Sequence, residues 1–368
     1  MKKILVVIGT RPEAIKLAPV ILRLKSEPSI HLRICLTGQH RDLIAPIFTF
    51  FGISSDDDLA VMTHNQNLGD VTAIILTKLN PILTEYQPDL VIVQGDTSTA
   101  FSAALAAFYQ KIPVAHVEAG LRSSDPYSPF PEEMNRRLIS KLSHLHFCPT
   151  DNAAHNLISE GISKDTIFVT GNTAIDALLM AKKQLTRSNQ FSFLPHDCKM
   201  ILITVHRRES FGEGILQICS AISTLASQYP DLHFVFPLHP NPNVEQVVHQ
   251  NLDGIANVHI IPPQDYISFI ELMDRSYLIM TDSGGIQEEA PSLNKPVLVL
   301  REITERPEVI ECGAACLIGL KSSTIIEAVG QLLSDSDLYQ SMASAPNPYG
   351  NGQASNKILN FIKYSLIL

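Results

Sequence analysis

The sequence lacks the features that mark several classes of protein. Lysine and arginine number 28 against 37 acidic residues, the net charge is −9, and no basic stripe is present, so nucleic acid is not expected as the main partner. No apolar run approaches the ~20 residues that a membrane-spanning helix needs. Runs biased toward serine, glutamine, glycine or one charge are also missing, which argues against a low-complexity segment or a disordered tail.

Cysteine is sparse, and no pair has the CxxC spacing of a metal or redox motif. The cysteines lie mostly in apolar segments, so we predict reduced, buried thiols of a cytoplasmic protein. The N-terminal MKKILVVIGTRPE turns charged at Arg11, which predicts a first β-strand and not a signal peptide. The six cysteines are Cys35, Cys148, Cys198, Cys219, Cys312 and Cys316.

Short apolar runs alternate with longer segments of helical period along the whole chain. This alternation predicts parallel sheets with helices on both faces, and 368 residues with 45% hydrophobic content suffice for two such domains. In the first half the predicted strands are residues 4–8, 32–36, 90–93, 114–117, 144–147 and 167–169, with helices between them, as at 14–25 and 71–86. In the second half they are residues 200–205, 234–236, 258–261, 278–280 and 297–300.

The boundary between the two domains is predicted in a polar stretch of the middle of the chain. Residues 184–199 carry Pro195 and have the weakest pattern there, so the boundary is expected between about 170 and 198. We divide the chain into residues 1–172 and 173–351. The last segment, residues 352–368, follows several prolines and glycines and predicts a helix.

Acidic residues concentrate in the segment HVEAGLRSSDPYSPFPEEMNRR, residues 116–137. Glu118 ends a strand pattern, and a loop then leads to Glu132 and Glu133 at the start of a helix. Asp96 follows the preceding strand. Because the carboxyl ends of neighbouring parallel strands meet at one sheet edge, these acids should lie together, where burial and like charge favour acid/base work. Ordinary helix capping is the alternative for each one separately. A divalent metal site is less favoured than acid/base work, because no His/Asp pair at metal spacing accompanies these acids and hard cations usually need more oxygen ligands.

The first predicted strand ends in GTRPEAIK. Pro12 suits a first helical turn, so Arg11 and Lys16 should lie near a helix N-terminus, where free N–H groups and the helix dipole favour an anion. A solvated helix start with two surface cations is an equal alternative. The dinucleotide fingerprint GxGxxG is absent.

Two motifs of the second half could also bind phosphate. In HRRESFGEG, His206 is followed by two arginines at a predicted strand end, and arginine forks match phosphate geometry. In TDSGGIQEE, Gly284 and Gly285 allow close backbone approach and Ser283 offers a hydroxyl and an N-cap. A carboxylate such as Glu289 suits the two hydroxyls of a ribose.

Seven motifs together resemble the non-hydrolysing UDP-N-acetylglucosamine 2-epimerases of bacteria over essentially the full length. The motifs are GTRPEAIKLAP, GDTSTA, HVEAGLRSSDPYSPFPEEMNRR, GNTAIDAL, HRRESFGEG, LHPNPNV and DSGGIQEEAPSLNKPVLVLREITERPE. The resemblance implies a GT-B-like α/β fold, with two Rossmann-like, doubly wound parallel-sheet domains and the active site in the cleft between them. It also implies that the helix at residues 352–368 returns to the N-terminal domain, and that residues 173–351 bind UDP.

The activity implied is an isomerase that interconverts UDP-GlcNAc and UDP-ManNAc at C2. UDP leaves by anti elimination to give 2-acetamidoglucal and then adds back, with no cofactor and no metal. The product would feed synthesis of a surface polysaccharide. UDP-GlcNAc is implied both as substrate and as allosteric activator of a cytoplasmic homodimer.

The resemblance assigns three groups of residues by motif position. The catalytic group consists of the acid/base residues Asp96, Glu118 and Glu132 and the catalytic histidine His206. The substrate-binding group is Arg11, Lys16, Arg208, Gln264, Phe269, Ser283, Gly284, Gly285, Glu289 and Arg306. The allosteric group is Gln39, His40 and Arg41.

Three other functions fit parts of the pattern. A 2-epimerase of a UDP-2,3-diacetamido sugar or a GT-B glycosyltransferase would share the UDP motifs. A nucleotide-sugar-binding regulator without catalysis would keep Gln264 and Glu289 but would not need Asp96, Glu118 and Glu132, so the presence of these acids counts against it.

Overall fold

The structure is a computed structural model, which describes all residues except 64, 124, 186–188, 196, 208–209, 239–240 and 367–368, and the side chain of Asn243. The chain divides into two compact units. Unit 1 comprises Met1–Ala177 and the chain from Tyr349 onward, and unit 2 comprises Leu178–Pro348. The division falls inside a helix, Thr173–Gln184, whose first residue is the first residue of the predicted second domain.

Unit 1 contains a seven-stranded parallel sheet with the strand order β3-β2-β1-β4-β5-β6-β7. Every residue of β4 is buried, as expected for a strand covered by helices on both faces. The strands are β1 (Lys2–Ile8), β2 (Ile30–Leu36), β3 (Asp57–Asp58), β4 (Leu90–Gln94), β5 (Val114–Val117), β6 (Leu145–Cys148) and β7 (Ile167–Val169).

Helices connect the strands of unit 1 and cover its sheet. The core between β1, β4 and the neighbouring helices consists of aliphatic side chains and small alanines, including Val91, Val93 and Ala103. The helices are α1 (Arg11–Lys25), α2 (Arg41–Phe51), α3 (Leu68–Tyr86), α4 (Ser98–Tyr109), α5 (Glu132–Leu142), α6 (Asp151–Ser159), α7 (Thr173–Gln184), which continues into unit 2, and α15 (Ala354–Ser365).

The C-terminal helix α15 packs on α1 within unit 1. Its first turn is held by the buried Asp176 of α7, whose carboxylate accepts hydrogen bonds from the backbone N–H of Ala354 at 3.1 Å and from the N–H and hydroxyl of Ser355 at 2.8 and 2.6 Å. Near its other end, Lys363 Nζ lies 2.5 Å from Glu27. Polar contacts at both ends therefore attach α15 to unit 1.

Unit 2 repeats the architecture with a six-stranded parallel sheet of order β10-β9-β8-β11-β12-β13. Its strands are β8 (Lys199–Thr204), β9 (Leu232–Pro237), β10 (Val258–Ile261), β11 (Leu278–Thr281), β12 (Val297–Val299) and β13 (Ala315–Leu317). Its helices are α8 (Glu213–Gln228), α9 (Pro242–Leu252), α10 (Tyr266–Arg275), α11 (Gly284–Glu289), α12 (Pro307–Glu311), α13 (Ser322–Ser334) and α14 (Ser336–Ala343).

The prediction of two doubly wound parallel sheets is confirmed. Two strands, β3 and β13, were not predicted, because they have two and three residues and carry no pattern of their own. The prediction that the cysteines are buried is wrong for part of the set: Cys35, Cys148 and Cys219 are buried, but Cys316 is exposed and Cys198 and Cys312 are half-buried, at positions near strand and helix ends. All six are free thiols.

In the described part of the chain, no helix is both long and apolar enough to cross a membrane.

Candidate active site

The predicted acids of unit 1 lie where the winding of its sheet reverses. Strands β1 and β4 are neighbours, and the chain leaves them toward opposite sides, which opens a crevice at their carboxyl ends. The turns after β1, β4 and β5 meet there. They carry Gly9 and Thr10, then Gly95 and Asp96, then Glu118. In the register of β4 and β5, Gln94 is paired with Val117, so Asp96 and Glu118 leave adjacent strands at nearly the same level.

Glu118 is held between a lysine and a glutamine. The Nζ of Lys16 lies 2.6 and 2.7 Å from the two carboxylate oxygens, and the side-chain amide of Gln94 donates a further hydrogen bond. Glu118 has a φ of 67°, a left-handed conformation that costs a residue other than glycine on the order of 1 kcal/mol. The contacts therefore hold the carboxylate on a strained turn, and both predicted residues, Lys16 and Glu118, come together.

Asp96 is paired with a cation of α5, Arg136. An Nη of Arg136 donates to its carboxylate, and the side-chain amide of Asn135 donates to its backbone carbonyl at 2.9 Å. Burial raises the pKa of Asp96, and the charge of Glu118 adds to that shift, while Arg136 and Lys16 oppose it. Like-charge proximity of Asp96 and Glu118 was expected from their positions at neighbouring strand ends.

Gly95 lies between the end of β4 and Asp96, and a buried residue of β5 holds it by a hydrogen bond. Its carbonyl oxygen accepts a hydrogen bond from Nε2 of the fully buried His116, at 2.7 Å. Burial lowers the pKa of His116 to about 3, so its imidazole is neutral at physiological pH. The φ of Gly95 is 69°, a left-handed conformation that glycine adopts without strain.

The two glutamates at the start of α5 have different surroundings. Glu133 is fully buried and accepts hydrogen bonds from Arg137 Nε at 2.6 Å and from the backbone N–H of Ser123 at 2.9 Å. It therefore ties α5 to the preceding loop. Glu132 is half-buried and lies in the first turn of α5, the position predicted for it. Farther along the loop, Arg122 forms an ion pair with Glu160 at 2.7 Å.

The backbone just before α1 is bound by a carboxylate that the helix itself supplies. Oε2 of the buried Glu13 accepts from the N–H of Gly9 at 2.9 Å and of Thr10 at 2.5 Å, and Oε1 accepts from the hydroxyl of Thr97 at 2.7 Å. This is one half of a capping box: Glu13 binds the N–H of the N-cap residue Thr10, but the Thr10 hydroxyl makes no capping hydrogen bond in return. Of the two predicted cations, Arg11 is exposed and Lys16 forms an ion pair with Glu118.

The predicted allosteric residues divide between two places. Gln39 accepts a hydrogen bond from Thr99 Oγ1 at 3.1 Å, and the N–H of His40 donates to the Gly9 carbonyl at 2.9 Å, so both lie beside the turn after β1. Burial lowers the pKa of His40, and the charge of Arg11 lowers it further. Arg41 is exposed and lies 3.0 Å from Asp58.

In unit 2, His206 lies at the corresponding switch point between β8 and β11. Its Nδ1 is 2.9 Å from Oδ1 of Asp282, a residue with no exposed surface. Asp282 also accepts from the backbone N–H of His206 and Arg207 and from Ser210 Oγ at 3.0 Å. Burial alone would raise the pKa of Asp282, but these hydrogen bonds and the charge of His206 lower it overall. An ionised carboxylate thus fixes the orientation of the imidazole.

Two arginine side chains converge on the turn that precedes α11. Guanidinium atoms of Arg207 and Arg306 both lie 3.8 Å from the position that a side chain on Gly284 would occupy. Arg306 is oriented by an ion pair with the buried Glu288. Ser283 stands at the N-cap position, as predicted, although its hydroxyl makes no capping hydrogen bond. The backbone is instead fixed by the bond from the Ser283 N–H to Thr281 Oγ1, at 2.9 Å.

The predicted uracil and ribose residues lie around the start of α10. Gln264 precedes this helix and donates to the Pro262 carbonyl at 2.6 Å, and Phe269 is half-buried one turn into the helix. Tyr266, the first residue of α10, is half-buried, with its hydroxyl oxygen inside the protein. Burial of this group and then the negative charge of Glu289 raise the pKa of the phenol well above its ordinary value. Glu289 therefore lies near α10.

Contacts at three positions were not anticipated from the sequence. Asp282 orients His206, Gln94 donates to Glu118, and Arg136 pairs with Asp96. Each partner comes from a different strand end or helix, so the pairing depends on strand order and register. Arg208 lies outside the described residues. Among the residues that are described, no three or more His, Cys, Asp or Glu side chains form a group that could hold a metal ion.

Comparisons with known proteins agree with this arrangement. A sequence profile described as UDP-N-acetylglucosamine 2-epimerase matches residues 22–363. The UDP-N-acetylglucosamine 2-epimerase of Escherichia coli K12 is 48% identical over 373 aligned residues, which cover 99% of each chain.

Solved structures give the same result. The crystal structure of UDP-GlcNAc 2-epimerase from Neisseria meningitidis bound to UDP-GlcNAc has a TM-score of 0.90 and 49% identity, and covers 98% of this chain and 100% of that chain. The Methanocaldococcus jannaschii enzyme in complex with UDP-GlcNAc and UDP has a TM-score of 0.80 and 35% identity, with 98% and 99% covered. The predicted GT-B-like fold class is confirmed by these neighbours, and the chain belongs to the UDP-N-acetylglucosamine 2-epimerase family.

Proposed function

We propose that this protein interconverts UDP-GlcNAc and UDP-ManNAc without hydrolysing them. The observation that carries the proposal is the pair of carboxylates at the switch point of unit 1, where Glu118 is bound to Lys16 and Asp96 to Arg136. Acids in this position suit proton transfer to and from a sugar carbon. The Neisseria relative was crystallised with UDP-GlcNAc, which supports the same nucleotide sugar as the substrate here.

The chemistry is an anti elimination followed by re-addition. A base removes the proton at C2, the electron pair forms the C1=C2 double bond of 2-acetamidoglucal, and the C1–O bond breaks to release UDP. UDP then adds back to C1 while a proton reaches C2 from the opposite face. Since no nicotinamide takes part, the reaction needs no cofactor.

The acidity of C2 determines what the site must supply. A C–H bond that is not next to a carbonyl is too weak an acid for a carboxylate in water, so the departing UDP must carry most of the developing negative charge. Fixed cations stabilise such charge best in a site from which water is excluded. We assign this task to Arg11, Lys16, His206 and Arg306, and the acid/base work to Asp96, Glu118 and Glu132.

The UDP portion is assigned to unit 2. The two guanidinium groups near Gly284 support a diphosphate there, because arginine forks match phosphate oxygens. Glu289 is assigned to the ribose hydroxyls, and Gln264 and Phe269 to the uracil. Arg208, Ser283 and Gly285 belong to the same assignment by motif position.

Regulation and assembly complete the proposal. Gln39, His40 and Arg41 are assigned to a second UDP-GlcNAc that activates the enzyme, and the closeness of Gln39 and His40 to the turn after β1 supports a link to the acids.

A homodimer is supported by exposed apolar side chains on α5, Met134 and Leu138. A cytoplasmic location is consistent with the six free thiols. Surface polysaccharide is the proposed destination of UDP-ManNAc.

The test is NMR of UDP-GlcNAc, which is both the substrate and the proposed activator, with the purified protein in deuterated water. The proposed function predicts deuterium at C2 of both nucleotide sugars together with the appearance of UDP-ManNAc. Absence of exchange at C2 in the presence of activator would exclude the 2-epimerase reaction. A glycosyltransferase would release UDP without forming the C2 epimer.

A parallel reaction with the 3-acetamido analogue decides the second candidate. The diacetamido-sugar epimerase reaction would give faster exchange with the analogue than with UDP-GlcNAc. We expect the reverse, because the relatives that cover nearly the whole chain are UDP-N-acetylglucosamine 2-epimerases.

A further inference from the structure

Arg136 connects two carboxylates that have different surroundings. One of its Nη atoms donates to Asp96, and the other lies 3.3 Å from Oε2 of Glu133. The Arg136 side chain is only 13% exposed, and Glu133 is not exposed at all. A planar guanidinium can span two carboxylates in this way, whereas a lysine ammonium is a single point charge.

The far end of this connection is fixed. Glu133 is held by Arg137 at 2.6 Å and by the N–H of Ser123 at 2.9 Å, so it anchors Arg136 to the body of unit 1. The preceding residue, Asn135, donates to the backbone carbonyl of Asp96 at 2.9 Å. Adjacent residues of α5 thus hold both the side chain and the backbone of Asp96.

Asp96 needs such support because its surroundings disfavour its charge. It faces Arg136 from α5, Lys16 from α1 and Glu118 from the end of β5. Lys16 is already bound to both oxygens of Glu118, which leaves Arg136 as the cation in direct contact with Asp96 among the described residues. Burial and Glu118 raise the pKa of Asp96, and Arg136 is the strongest group opposing them.

We propose that Arg136 is a positioning residue that keeps Asp96 ionised and fixed, so that Asp96 takes part in the reaction as a carboxylate and not as a proton donor. This inference rests on the proposed function for its kinetic consequences. Arg136 itself does not need to touch the nucleotide sugar.

The test compares Arg136→Met and Arg136→Lys with the control Arg122→Met. The control removes a similarly buried arginine from the loop before α5, which pairs with Glu160 instead. In Arg136→Met the acid limb of the pH profile of kcat should move to higher pH by about one unit or more, since an adjacent arginine lowers a carboxyl pKa by about 1–3 units. KM should change little. Arg136→Lys keeps the charge but cannot span both carboxylates, so it should show a smaller shift and a reduced kcat. Arg122→Met should keep the parent pH profile.

Chemical rescue adds a readout that a purely structural role would not give. Millimolar methylguanidinium should restore part of the activity of Arg136→Met at low pH and should not affect Arg122→Met. A parent-like acid limb in Arg136→Met, or a parent-like kcat in Arg136→Lys, would overturn the proposal.

A titration separates this inference from the proposed function. The carboxyl carbon of Asp96, labelled with 13C and assigned through Asp96→Asn, should titrate at higher pH in Arg136→Met than in the parent, whether or not the protein turns over. An unchanged titration would overturn the role of Arg136 even if the parent is an active epimerase. A parent protein without C2 exchange would overturn the proposed function even if the titration shifts.

Discussion

The ammonium of Lys16 lies within 2.7 Å of both carboxylate oxygens of Glu118. This ion pair joins the second turn of α1 to the strained residue after β5, and it brings together two residues that are 102 positions apart in the sequence. A carboxylate in this position can exchange a proton with a sugar only if its charge and its geometry are both retained.

Replacing Glu118 with glutamine tests this requirement. The amide keeps the shape and the contact with Lys16 through its oxygen, but it cannot accept a proton, so we expect turnover of UDP-GlcNAc to fall by at least ~100-fold. Binding of UDP, measured by calorimetry, should stay close to that of the parent. The matched control is Glu160→Gln, which removes the partner of Arg122 elsewhere in unit 1 and should keep turnover. Unchanged turnover in Glu118→Gln would remove this residue from the mechanism.

Asp282 provides a second test, in unit 2. Its replacement by asparagine removes the negative charge that faces His206 Nδ1 at 2.9 Å and so weakens the hydrogen bond that orients the imidazole. Loss of the partner that orients a histidine costs metal sites about 10–100-fold in activity, and we expect a loss of that size in turnover. Because the hydroxyl of Ser210 also bonds Asp282, Ser210→Ala is a graded control that should lose less. Equal losses in the two variants would indicate a general disturbance of the turn.

The sequence predicted the sheets well because strands buried on both faces appear as continuous apolar runs, as in β4 and β5. It also placed Asp96 and Glu118 at one sheet edge from strand order alone. The anion at the start of α1 was missed although its signal is present, since Thr10 and Glu13 have the spacing of a capping box. The partners of Asp96 and His206 could not be predicted, because choosing Arg136 over Arg137, or finding Asp282, requires the phase of α5 and the register of β8 with β11.

Glu13 and Glu27 predict opposite pH dependences of stability. Burial raises the pKa of Glu13 above 4.5 despite its three hydrogen bonds, so the folded state binds its proton more tightly than the unfolded state does. Its contribution to stability is then fully present below pH 4.5 and is lost as the pH rises through the folded pKa. Removing this group by Glu13→Gln should make the Tm of the variant, relative to the parent, rise with pH above 4.5.

Glu27 is the matched control with the reverse sign. Its hydrogen bond with Lys363 lowers the pKa of Glu27 to about 2, so its contribution is present above pH 4.5 and is lost as the pH falls toward 2. The Tm of Glu27→Gln, relative to the parent, should therefore fall as the pH rises from 2 to 4.5. Calorimetric scans of both variants and the parent across pH 2 to 8 check both signs, and the same sign in the two variants would contradict the assignment.

The attachment of α15 depends on Asp176, which accepts three hydrogen bonds from the first turn of that helix. Asp176→Ala leaves two buried N–H groups without an acceptor, and each such group costs about 1–3 kcal/mol. Ser355→Ala removes one donor and keeps the other two bonds, so it should destabilise the protein less. We expect Asp176→Ala to lower the Tm by several degrees and to speed proteolytic cleavage near residue 350 well before unit 2 unfolds. If cleavage there and global unfolding accelerate together, α15 is an integral part of the cooperative core of unit 1, and its release is not a separate step.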